Sequence, residues 1–117
     1  MKVIVAVALL ALMLVYMARA APPAPTRVQV TAKEFTYVVS RHSVHAGRAI
    51  VELVNFGEDP HDLKLQRIGG GRIWKTPDVL PGAYFDVEVT LVKGRYRLWC
   101  GIADHNERGM HALLVVT

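Results

Sequence analysis

Gly94-Arg-Tyr96-Arg-Leu-Trp-Cys100-Gly-Ile-Ala-Asp-His105-Asn-Glu-Arg-Gly-Met110 holds the chain's only cysteine, with a histidine five residues later and a methionine five after that. A thiolate, an imidazole and a thioether on one short segment form a soft, mixed donor set. Such a set suits copper, which cycles between Cu(I) and Cu(II), better than magnesium or calcium. A fourth donor must come from elsewhere, and the best supplier is His61 in Asn55-Phe-Gly-Glu-Asp-Pro60-His61-Asp62. Before the loop, period-2 alternation puts Tyr96, Leu98 and Cys100 on one strand face and Arg95, Arg97 and Trp99 on the other. The apolar set must be the inner one, so the thiol emerges from a core at a strand end. By the same count His61, Leu63 and Leu65 share a face. Two strands thus present donors at one end of a hydrophobic core.

Working outward, the segment after Arg27 reads as strands. Val28, Val30 and Ala32 alternate with polar residues, and Phe35–Val39 is rich in β-formers. Ala49–Val54 and Asp62–Ile68 follow, separated by the turn formers Gly57 and Pro60. Gly69-Gly70-Gly71 opens a loop running to Pro81-Gly82, and strands return at Tyr84–Leu91, Tyr96–Cys100 and His111–Thr117. About seven to eight short strands without a long helical period predict an all-β, Greek-key β-sandwich.

Two histidines and a cysteine in a plane, with a distant methionine, are the trigonal arrangement of blue-copper electron-transfer sites. The loop from Gly94 to Met110 resembles the C-terminal ligand loop of the cupredoxins, the plastocyanin- and azurin-like type 1 copper proteins. Asn55-x-Gly57-x-x-Pro60-His61 resembles the segment carrying their first histidine. The resemblance covers most of the chain after residue 26. It implies one copper ion held by His61, Cys100, His105 and Met110, and single-electron transfer between transient partner proteins. It further implies that the His105 edge reaches the surface, within an apolar docking patch of Gly57, Ile102, Ala103 and Gly109. Two features depart from the plastocyanin pattern. Asp62 stands where Asn is common, and four residues rather than two separate Cys100 from His105. Backbone N–H groups near Asp62 and Asn55 are expected to bond the thiolate and tie the ligand loops together. An ionised Asp62 accepts but cannot donate, and its negative charge favours Cu(II).

Each donor has a plainer alternative: Cys100 as a small buried hydrophobe, His61 and His105 as surface histidines, Met110 as core. A lone thiol in an exported chain is a mispairing hazard that ligation removes. The other histidines are weaker candidates. His42 and His45 lie in a polar stretch, and His111 points away from Met110 if it lies on a strand.

At the N-terminus, Lys2 precedes an uncharged run from Val3 to Ala18, and Ala18-Arg19-Ala20 forms an A-x-A pattern. This is the design of a secretory signal peptide over residues 1–20, followed by a Pro-rich spacer at 21–26 and one domain at 27–117. An uncleaved anchor is the alternative, but sixteen apolar residues reach about 24 Å, short of the ~30 Å hydrocarbon layer. The expected location is therefore periplasmic or extracellular, with a monomeric product free of the membrane after cleavage. The net charge of +4 falls to about +2 once Lys2 and Arg19 depart, too little to argue for nucleic acid. Arg72, Lys75, Arg95 and Arg97 are a candidate basic patch for an acidic partner. Copper delivery without redox traffic competes with electron transfer, but it would be expected to show an open Met- or His-rich site. A Cys–His nucleophilic enzyme would need an oriented base and an oxyanion site, and neither is visible.

Overall fold

The computed structural model describes residues 2–18 and 21–117. An N-terminal helix, α1 (Lys2–Ala18), precedes nine strands. These are β1 (Thr26–Lys33), β2 (Thr36–Val39), β3 (Ser43–Val44), β4 (Gly47–Asn55), β5 (Lys64–Arg67), β6 (Trp74–Lys75), β7 (Tyr84–Leu91), β8 (Gly94–Trp99) and β9 (His111–Val116). They form a four-stranded sheet ordered β2-β1-β4-β7 and a five-stranded sheet ordered β3-β9-β8-β5-β6. Each sheet is mixed, with one parallel pair: β1 with β4, and β3 with β9.

The sandwich follows from alternation. In β1 the side chains of Val28, Val30 and Ala32 are fully buried, and in β4 Ala49, Val51 and Leu53 face the same way. From the second sheet Leu65, Tyr96, Leu98 and Leu114 close against them. β-Branched and aromatic residues suit this pleated, half-buried surface, and each fully buried aliphatic side chain contributes roughly 1.5–3 kcal/mol.

The strand reading needs three adjustments. The spacer ends a residue early, because Thr26 already pairs with Ala49. The long loop after Gly69 contains β6, and β3 adds a second two-residue strand. The strand expected from Asp62 begins only at Lys64, with His61 making a single bridge to Val79. Side chains take the place of the ladder there. The Tyr37 hydroxyl donates to the Asp62 carbonyl, and the Leu63 N–H donates to Thr76 Oγ1 at 3.0 Å.

The basic patch also divides. Lys75 and Arg97 lie on the outer face of the five-stranded sheet with Lys64 and Trp99, and the Arg97 guanidinium stacks 4.1 Å from the Trp99 ring centre. Arg72 instead stacks at 3.8 Å on Trp74, whose ladder partner Leu65 faces the core.

Helix α1 is apolar and solvent-exposed at Val3, Leu9, Leu10 and Leu12. Among the described residues no helix is long and apolar enough to cross a membrane. The proposed cleavage motif extends over Arg19 and Ala20, which lie outside the described residues.

Leu53 sits at 0% exposure in the middle of the first sheet, so Leu53→Ala should cost about 2–5 kcal/mol. Val38→Ala, at a position 64% exposed, should stay within about 0.5 kcal/mol. Urea denaturation of both variants checks the contrast.

Candidate metal centre

β8 delivers Cys100 immediately after its last paired residue, Trp99. As the alternation requires, Tyr96, Leu98 and Cys100 are buried and Arg95 and Arg97 exposed. The loop then closes on itself. Its ends are joined by Cys100 N–H to the Met110 carbonyl at 3.0 Å, and Met110 N–H returns to the His105 carbonyl at 3.0 Å. Tight turns within it carry His105 N–H to Ile102 O and Gly109 N–H to Asn106 O, both at 3.1 Å. Gly109 has a positive φ of 122°, and a Cβ there would lie 2.9 Å from the Phe35 carbonyl. Only glycine meets both conditions without strain.

His61 arrives from the β4–β5 connection. Asn55, wholly buried, staples that connection: its Nδ2 donates to Asp59 O at 2.7 Å and Val79 O at 2.9 Å, while Oδ1 accepts Gly57 N–H at 2.8 Å. Its backbone N–H goes to Ala83 O at 3.0 Å, so Asn55 shapes its own loop and its N–H does not bond the thiolate, contrary to expectation. Asp62 does the joining. Its Oδ1 accepts Gly101 N–H at 2.5 Å, and the N–H groups of Asp62 and Ile102 point at Cys100 Sγ.

The result is a buried cluster. One donor atom each from His61, Cys100 and His105 lies within 4.8 Å of the others. His61 Nδ1 is 3.3 Å from His105 Nδ1, and Cys100 Sγ is 3.6 Å from His105 Nδ1. Around a first-row metal at about 2.0–2.1 Å from nitrogen and about 2.3 Å from sulfur, tetrahedral-to-trigonal angles separate N from N by about 3.3–3.6 Å and S from N by about 3.6–3.8 Å. The His61–His105 and Cys100–His105 spacings both fall in these ranges, as donors to one ion would. Met110 is fully buried and is tied through its backbone to both Cys100 and His105.

Burial pushes the Cys100 thiol above its ordinary pKa, against the lowering effect of the Asp62 and Ile102 N–H groups. Burial likewise raises the Tyr37 phenol, reinforced by the neighbouring Cys100 and Asp62. Glu34 is the residue that sequence reasoning missed. Its carboxylate Oε1 lies 3.0 Å from His61 Nε2 and accepts the N–H groups of Glu58 and Asp59 at 2.7 Å. These bonds, the Asp59 N–H foremost, hold its pKa down at about 2. An isolated Glu in a β-hairpin carries no local signal. The available hint was Gly57, where a Cβ would come within 2.7 Å of Glu34 Oε2.

The His105 edge is less exposed than the resemblance implied, at 8%. Phe35 packs on it with ring centres 5.0 Å apart, and Arg108 stacks 3.7 Å above Phe35. Ala103 is exposed and Gly57, Ile102 and Gly109 partly so. Phe56 and Leu80, each 62% exposed on neighbouring segments, enlarge the apolar surface beyond what the sequence suggested. His42, His45 and His111 take no part in the cluster. His45 Nδ1 lies 3.1 Å from Thr117 Oγ1, and His42 and His111 line an open groove of about 490 Å³ with Tyr37 and Leu113.

A β-sandwich carrying His, Cys, His and Met at one pole has the donor set of a mononuclear type 1 copper site, and its cofactor is one copper ion. The chain belongs to the family described as the cupredoxin-like domain, whose model matches residues 5–116. Among solved structures it is similar to the dithionite-reduced auracyanin of Roseiflexus castenholzii (16% identity, 81% of this chain and 99% of that one, TM-score 0.66). It is also similar to auracyanin A, a "blue" copper protein of Chloroflexus aurantiacus (16% identity, 80% and 100%, TM-score 0.65). A multicopper oxidase matches too (14% identity, 84% of this chain but 46% of that one, TM-score 0.62). Among curated proteins none matches the chain.

Because the metal-free thiol is protonated at neutral pH, and a metal binds the thiolate, loading the apo-protein with Cu(II) at pH 7 should release about one proton per site. Titration in weakly buffered solution with a pH indicator checks this. Cys100→Ser should remove most of the release.

Proposed function

We propose that the protein is an exported carrier of single electrons, with copper held by His61, Cys100, His105 and Met110. The observation that carries this reading is the enclosure of the donors. His61, Cys100 and Met110 are wholly buried, on segments locked to one another by the Asp62–Gly101 and Cys100–Met110 hydrogen bonds. Bound copper supplies the one-electron change between Cu(I) and Cu(II). The chain's part is to keep the donors still through that change. The thiolate and thioether favour the reduced ion, the imidazoles accept the oxidised one, and N–H groups at Sγ steady the thiolate. The Phe35-covered edge of His105 and the surrounding Phe56, Leu80, Ile102 and Ala103 form the docking surface, suited to a small, short-lived interface. Lys64, Lys75, Arg95 and Arg97 on the outer sheet face would favour an acidic partner.

A carrier rather than an enzyme fits the surface. A groove of about 170 Å³ is lined by Arg48, Trp74 and Glu88, and one of about 490 Å³ by Tyr37, His42 and His111; none of His61, Cys100, His105 and Met110 lines either. The likeness to a multicopper oxidase reaches under half of that protein and carries its fold alone. Export rests on the uncharged run Val3–Ala18 and the A-x-A pattern that follows it. Copper delivery is the competing use of the same donors, and it requires release in at least one oxidation state.

The deciding experiment is repeated reduction and reoxidation of the loaded protein beside a Cu(I) chelator, followed by metal analysis. Retained copper with reversible cycling is expected, and prompt loss on reduction would establish delivery instead. In the same preparation Cys100→Ser should abolish the intense thiolate-to-copper absorption, and His61→Ala or His105→Ala should alter or lose it. Met110→Leu should keep copper and raise the reduction potential. His42→Ala, His45→Ala and His111→Ala should leave the spectrum unchanged; loss of the site in His111→Ala would refute the loop assignment.

Export has its own check. Intact mass of the exported protein should begin at Ala21. Recovery of the full-length chain from membranes alone would show that the segment is retained as an anchor.

A further inference from the structure

We infer that Glu34 is the positioning residue for His61, fixing the ring proton on Nε2 so that an unprotonated Nδ1 faces the metal, and lending the site a negative charge that favours Cu(II). The inference rests on the copper reading for its second half only. His61 is wholly buried, so its Nε2 must be satisfied by protein. The partner it meets is Glu34 Oε1 at 3.0 Å. A carboxylate only accepts, so the nitrogen facing it carries the proton. The remaining nitrogen, Nδ1, then has a free lone pair, and this is the atom that lies 3.3 Å from His105 Nδ1 within the donor cluster.

Glu34 is itself held independently of any metal. The same Oε1 accepts Glu58 and Asp59 N–H at 2.7 Å, and the carboxylate sits against Gly57, where any side chain would displace it. The hairpin end between β1 and β2 therefore grips the loop that carries His61 and aims the ring in one stroke. A carboxylate behind a ligating imidazole makes it a stronger donor. The oxidised ion, with one more positive charge, gains more from this than the reduced one.

All three donors converge on one oxygen, which makes the charge and the geometry separable. Glu34→Gln can keep Oε1 as the acceptor and loses only the charge; Glu34→Ala loses both. In the metal-free protein, nitrogen-15 NMR of the His61 ring should show the Nε2–H form in the wild type and in Glu34→Gln. In Glu34→Ala it should show a mixture of ring forms. In the copper-loaded protein, Glu34→Gln should lower affinity for Cu(II) about tenfold relative to Cu(I), a rise in midpoint potential of about 59 mV. Glu52→Gln, a change on the outer sheet face, should leave ring form and potential unmoved.

An unaltered ring form in Glu34→Ala, or a Glu34→Gln midpoint equal to that of the wild type, would overturn the assignment. Should Glu34→Ala fail to fold, the Glu34→Gln potential still decides. Should the wild type take up no copper, the copper reading fails, while the ring-form measurement on metal-free protein still tests the positioning role.

Discussion

One hydrogen bond joins the two segments that must meet for this protein to have a site: Gly101 N–H to Asp62 Oδ1, at 2.5 Å. Asp62 follows His61 and Gly101 follows Cys100, so the bond sets the distance between the imidazole and the thiol. The same residue directs its own N–H at Sγ and offers its carbonyl to the Tyr37 hydroxyl. Three elements, the β4–β5 connection, the end of β8 and strand β2, are thereby fixed around one residue. An acceptor-only side chain serves here because the group it meets is a backbone donor.

The constraint behind this arrangement is the cost of burying polar groups. His61, Asn55 and Cys100 lie at 0% exposure at the end of an apolar core. Each unsatisfied donor or acceptor there would cost about 1–3 kcal/mol. Among the described residues no buried side-chain nitrogen or oxygen lacks a partner. Asn55 spends its amide on its own loop, Glu34 takes His61 Nε2, and the Cys100 backbone continues the β8–β9 ladder to Met110. The remaining polar atoms of His61, Cys100 and His105 turn toward one another, His61 Nδ1 at 3.3 Å and Cys100 Sγ at 3.6 Å from His105 Nδ1. A site whose surroundings are satisfied in this way has little reason to rearrange when a bound ion changes charge. That stillness is what the proposed role of electron carrier requires.

Much of this is legible in the chain itself. Cys100, His105 and Met110 are close in sequence, so a single loop had to hold them together, and the alternation through Tyr96 and Leu98 told which face the thiol would take. His61 was legible for a different reason: it heads a strand whose apolar residues share its face. The strand boundaries around it were not. Asp62 and Leu63 open the run that continues as a strand, yet their backbone groups are used by Tyr37, Cys100 and Thr76, partners 13 to 38 residues away in the chain.

The sequence by itself determined the all-β class and pointed to His61, Cys100 and His105 as residues that meet at one pole, because local order carries both: period-2 alternation for the strands, residue type and spacing for the candidate donors. Only the tertiary structure decided what stands behind those donors. Glu34 is 27 residues from His61, and Phe35 reaches His105 from the same hairpin end. Nothing in the neighbourhood of either aromatic or acid announces such a role. The pairing of β1 with β2 and β4 brings that end over the metal pole, and a carboxylate meets a buried ring nitrogen only once the two sheets have closed.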